Sequence, residues 1–172
     1  MRNWIFFVVV GLLVGCDAEG LKGTLKIAIT DAPVDAQNVR DVNIVITNIE
    51  GMQDGTWKSF RNFEQPIGVN LLDYIGDRSV LLIDQFSNPG EYSSIRIKLN
   101  MASRNSSLIV NPQSNIVFND GSSTPLYMPD GMANEIILDY KLGISSRGIT
   151  NLTLDFDARK SIRKNESGEF IL

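Results

Sequence analysis

Apolar and polar residues alternate with a period near two along most of this chain. In TLKIAIT, Leu25, Ile27 and Ile29 share one face, and Lys26 and Ala28 the other. DVNIVITNIEGM keeps Val42, Ile44 and Ile46 in step, and YSSIRIKLN sets Ile95, Ile97 and Leu99 inward with Arg96 and Lys98 outward. EIILDYKL predicts Ile136, Leu138, Tyr140 and Leu142 on one side. NLTLDFDA predicts Leu152, Leu154 and Phe156 opposite Thr153, Asp155 and Asp157. TWKSF, SSLIVN and SNIVFND are shorter candidates, the last two separated at Asn111-Pro112. This period is the signature of half-buried strands.

Turn residues separate the runs: Ala32-Pro33, Asp54-Gly55, Asn88-Pro89-Gly90, Asp120-Gly121, Asp130-Gly131 and Ser167-Gly168. Asp54-Gly55 is the strongest hairpin signal, because both residues tolerate positive φ. Helix is confined to a turn or two in NLLDYIGD and PVDAQNV. Roughly seven to nine short strands at this spacing predict an all-β, antiparallel sandwich of the immunoglobulin or prealbumin kind. One-sided alternation favours antiparallel pairing.

The N-terminus breaks the pattern. Arg2 precedes WIFFVVVGLL, an apolar run too short for the ~20 residues that span a bilayer. Small residues and Cys16 follow, in the order of an export signal. Leu13-Val14-Gly15-Cys16 resembles a bacterial lipobox, in which the thiol takes a diacylglycerol and cleavage leaves the cysteine first. The organisation expected is a signal peptide over 1–15, an acylated cysteine and tether over 16–22, and one domain over 23–172. Membrane attachment would run through that lipid, because two or three acyl chains anchor stably. The bacterial outer membrane or cell surface is the expected location, ahead of the inner membrane.

Loss of Arg2 takes the basic count from 16 to 15 against 20 acidic residues, a net charge of −5. A mildly acidic domain without basic clusters is a poor partner for nucleic acid. The chain has no histidine, which removes Ser-His-Asp and Cys-His catalysis and the commonest zinc ligand. With its single cysteine committed to lipid, the domain has neither thiol chemistry nor a disulfide. No cofactor is expected.

GTLKIAITDAP, VRDVNIVITNIEGM with Trp57, NPGEYSSIRIKLN, and LTLDFDARKSI with GEFIL occur in that order. Together they resemble bacterial lipoproteins of Domain-of-Unknown-Function family 4382. The resemblance implies an exported, lipid-anchored β-sandwich and brings no catalytic residues with it. It also leaves a solitary or a truncated module, since the closing strand is often followed by more chain.

Asp31 has the parity of Leu25, Ile27 and Ile29, so its carboxylate falls on an apolar face and needs partners. Accepting N–H bonds in the turn at Ala32-Pro33 is the simpler role. Joining Asp35 and Asp41 around calcium is the other, although the spacing matches no defined loop. Asp155 and Asp157 share a face and are expected to pair across strands with cations such as Arg96, Lys98 and Arg159. Among the aromatics, Trp57 is expected in or near the core, and Tyr92 at a sheet corner with its hydroxyl on backbone. Tyr127, between two prolines, has the best case for exposure as a sugar-stacking plane. Tyr74 is a further candidate.

The function expected is a non-enzymatic binding, adhesion or assembly module. Its contacts would be made through loops 31–41, 119–132 and 143–150, with Asp31, Asp35 and Tyr127 as ligand residues. A glycan or an envelope protein would be the partner. The alternative is a glycosidase-like hydrolase using Asp31, Asp155 or Asp157, with one carboxyl neutral and another ionised.

Overall fold

The computed structural model describes residues 21–31, 38–104 and 112–172. Cys16, Asp35, the strand expected at SSLIVN and most of the helical turn expected at PVDAQNV lie outside the described residues. The fold is all-β, with thirteen strands among the described residues, four of them only two or three residues long. It has the layers of a sandwich.

One layer is a three-stranded sheet. Strand β1 (Gly23–Asp31) sits between β4 (Val80–Ser87) and β11 (Ile149–Phe156). Every second residue of β1 is buried, from Gly23 to Asp31, as the alternation predicts. The other layer is built on β2 (Val39–Gln53), which pairs along its length with β3 (Thr56–Asn70). Its opposite edge takes β6 (Ile95–Leu99) near one end and β7 (Asn115–Phe118) near the other. β6 continues into β9 (Glu135–Leu138); β7 continues through β8 (Ser123–Tyr127) and β13 (Phe170–Ile171) to β12 (Arg163–Lys164). A short pair, β5 (Gly90–Tyr92) with β10 (Leu142–Ile144), completes the sheets. Leu25, Ile27 and Ile29 meet Ile44, Ile46, Ile49 and Ile97 in a single core. Each such side chain contributes about 1.5–3 kcal/mol by leaving water.

The expected turn at Asp54-Gly55 joins β2 to β3, with φ of 50° and 72°. The pairing is mixed where alternation predicts antiparallel: β1 runs parallel to β11, and β13 to β8. The first and last long strands therefore lie side by side in the same direction.

The EIILDYKL segment is two strands, not one. β9 stops at Leu138 and β10 begins at Leu142, and between them Tyr140 is 51% exposed instead of facing inward. Beyond β11, Asp157 caps a single helical turn, α1 (Ala158–Ser161).

The two lateral sides of the sandwich differ. On one, the Gln85 amide of β4 donates to the Phe60 carbonyl of β3 and bridges the layers. On the other, among the described residues, β11 pairs only with β1 and β9 only with β6, so two strand edges face each other unpaired.

Candidate functional site

A groove of about 820 Å³ runs between those two edges. It touches seven consecutive residues of β11 and its end, Asn151 to Asp157, and all four of β9, Glu135 to Leu138. Successive strand residues point to opposite faces. A groove that meets both parities therefore borders the edge of each strand, and not one face alone. Its floor is core: Ile29, Ile95, Ile97 and Leu154. Its rim carries exposed Met132, Ile137 and Tyr140. Among the described residues, the side-chain carboxylates of Glu135, Asp155 and Asp157 line it, and no lysine or arginine does.

The ladder shows which backbone groups meet the groove. Thr24 N–H donates to Gly148 O at 2.8 Å, and Thr24 stands opposite Ile149 in the parallel register. Parallel ladders use alternate residues for one neighbour and the rest for the other. The even-numbered residues of β11 thus bond to β1, leaving the N–H and C=O groups of Asn151, Thr153 and Asp155 along the open edge. In β9 the Leu99 N–H donates to Asn134 O at 2.9 Å, just ahead of the strand. The antiparallel register then turns the backbone groups of Ile136 and Leu138 toward β6 and leaves those of Ile137 outward.

Asp31 is only 2% exposed. Its Oδ1 accepts the Ala158 N–H at 2.9 Å, a backbone bond as expected, but to α1 and not to the local turn. Asp157 Oδ1 accepts the Lys160 N–H at 3.1 Å, and Oδ2 pairs with Lys160 Nζ at 2.7 Å. These bonds from Lys160 hold the Asp157 carboxyl below the ordinary aspartate range. Asp41 does not join Asp31. It lies in the other layer, bonded to Asn70 at 3.1 Å and Arg40 at 3.0 Å. Among the described residues no three acidic or sulfur groups gather as a metal site.

Arg96 and Lys98 do not pair with Asp155 or Asp157, because β6 and β11 belong to different layers. Both cations turn to Glu50: Lys98 Nζ is 3.3 Å from Oε1, and the Arg96 guanidinium binds Oε2. Arg96 also reaches Glu135 at 3.6 Å and lies 4.2 Å over the ring of half-buried Trp57. Tyr92 is at a corner, as expected: its ring is buried and its hydroxyl donates to Asn88 O at 3.0 Å. Burial raises its pKa.

Tyr127 is not the open plane expected from its flanking prolines. It is half-buried in β8, with the Arg104 guanidinium 4.5 Å over its ring. Arg104 is itself fixed by Asp130 and Glu169, each at 2.9 Å. Loop 119–132 likewise contains β8.

Sequence reasoning missed Ile137 and Tyr140 as a surface, whereas Met132 closes the expected contact loop 119–132. The available signal was Ile136-Ile137-Leu138, where three apolar residues in succession leave the strand without a polar face.

No curated protein and no solved structure matches this chain. The family model described as "Domain of unknown function (DUF4382)" matches residues 22–172, and the chain belongs to that family.

Proposed function

We propose that this protein is a lipid-anchored, non-enzymatic binding module of the bacterial envelope, at the outer membrane or cell surface, and that the β9–β11 groove is where it binds. The observation that carries the binding reading is the groove itself: an apolar floor between two unpaired strand edges, with exposed Ile137 and Tyr140 at the rim. An apolar cleft with a few polar groups at its edge is the usual form of a ligand site. Cys16 supplies the anchor, on the lipobox order of the residues before it. No helix among the described residues is long and apolar enough to cross a membrane.

Two measurements test this reading. Cys16→Ser should leave an unprocessed precursor and abolish detergent-phase partitioning; unchanged partitioning refutes acylation. Nile red, a neutral apolar dye, should bind the groove. Ile137→Glu should weaken it about tenfold by placing a charge on the apolar wall. Phe86→Glu, at an exposed apolar site outside the groove, should leave it unchanged. Equal effects of the two variants would contradict the groove as the site.

The hydrolase reading draws on the three carboxylates around the groove. The neutral acid it needs is not Asp157, whose carboxyl the Lys160 bonds hold below the ordinary range. Loss of glycan turnover in Asp155→Asn would establish it in place of binding alone.

A further inference from the structure

We infer that an extended segment of a partner polypeptide docks on the open edge of β11 as an added strand, with alternate apolar side chains on the groove floor and a lysine or arginine beside Asp155. This rests on the groove being the binding site and names what the groove takes.

The main chain is the first argument. Asn151, Thr153 and Asp155 present three N–H and three C=O groups in a row, toward a space that an extended chain can enter. A partner strand answers all of them; an acyl chain or a flat apolar ligand answers none. Strand addition draws its affinity from such main-chain bonds and its specificity from alternate side-chain positions. β11 is the better of the two edges. In β9 the Glu135 N–H is already donated to Ala133 O at 2.8 Å, which leaves Ile137 as the outward residue.

Side-chain parity is the second argument. A strand beside β11 would send every second side chain toward Ile29, Ile97 and Leu154, and the others to the face of Asn151, Thr153 and Asp155. On that face Asp155 stands beside Thr30 of β1, and it makes no ion pair with any described residue. The place on its other side, unfilled among the described residues, is where a cation fits. A second copy of this chain fits worse, because it brings a net charge of −4 and the same acidic rim.

The probe is an end-capped nonapeptide of alternating threonine and valine with lysine at its central polar position. Its control carries N-methyl groups on alternate residues, so the side chains remain and the edge bonds are lost. Amide exchange in the full chain, followed by NMR, is the readout. Binding should slow exchange at Asn151, Thr153 and Asp155 at least about tenfold, and the N-methyl peptide should do nothing. Asp155→Lys should weaken the lysine peptide about tenfold, and a peptide with glutamate at that position should bind this variant as the lysine peptide binds the original. Asp155 is exposed, so an unchanged melting midpoint separates this effect from unfolding.

Peptide binding without protection of those three amides overturns the inference. So does protection that grows with protein concentration alone, which would make a second copy the occupant. Nile red bound in the groove with no peptide binding overturns strand addition and leaves the groove reading standing. Failure of both probes removes both.

Discussion

Asp31 Oδ1 accepts a hydrogen bond from the Ala158 N–H at 2.9 Å, across 127 positions of sequence. The bond ties the end of β1 to the first turn of α1, next to the parallel pair Asp31 and Phe156. It joins the aspartate of TDAP to the alanine of DFDA, two motifs that look unrelated along the chain. Both serve one junction, where Asp157 caps the same helical turn. Asp31→Ala should cost about 1–3 kcal/mol, since the Ala158 N–H would stay buried without this acceptor. Asp31→Asn keeps an acceptor oxygen and should cost less. Urea midpoints check both, and equal loss in the two variants would contradict the acceptor role.

Glu50 is 7% exposed and gathers Arg96, Lys98 and the Asn48 amide. Removing it should be worse than replacing the pair. Glu50→Ala leaves a largely buried guanidinium with Glu135 at 3.6 Å as its remaining carboxylate, beside the Trp57 ring, and should cost about 3 kcal/mol. Glu50→Leu with Arg96→Met should cost less than Glu50→Leu alone. Additive losses in denaturant titrations would contradict the coupling.

Gly51 is required by the rings above it. A Cβ at this position would press into the Phe60 ring and lie 2.6 Å from Tyr92. Those two rings meet edge-on at a centroid distance of 4.8 Å. Gly51→Ala should therefore cost about 1–3 kcal/mol by overpacking. Combining it with Phe60→Leu should cost less than the sum of the two single losses. Calorimetry of the four proteins checks this.

The acid limb of stability has identifiable sources. Hydrogen bonds from Lys160 hold Asp157 below its ordinary value of 3.8, and those from Ser122 do the same for Asp120. Bonds from Asn165 and Arg104 hold Glu169 below 4.5. Each folded-state pKa is depressed, so each contribution is full above the ordinary value and is lost as pH falls through the lower folded one. No histidine titrates above that range. The melting midpoint should be flat from about pH 5 to 8 and fall below about 4.5, with Glu169→Gln flattening part of the fall. A midpoint that drops between about pH 8 and 6 would contradict this.

β1, β6 and β11 alternate cleanly and were legible in the sequence because each has one face on the core. β2 was legible from Val42, Ile44 and Ile46, although Val45 between them is buried too and its register against β3 shifts twice. β4 was not: VLLIDQFS places buried Leu82 beside buried Ile83 at a bulge, which destroys the period. β3 runs past the predicted TWKSF to Asn70 and through Pro66. An edge strand tolerates a proline there, but the sequence does not reveal that β3, among the described residues, pairs only with β2. Asp31 was legible as a buried acceptor by parity, whereas its donor was not, since no local pattern brings residue 158 to it. The groove depends on two edges left unpaired in different layers, which is a property of topology and not of any segment.

The open edge of β11 is the claim on which the binding account stands, and amide exchange on the protein alone measures it. Asn151, Thr153 and Asp155 should exchange much faster than Leu152 and Leu154, whose N–H groups bond to β1. Equal protection across Ile149–Phe156 would mean that the edge is already covered, and would contradict the account.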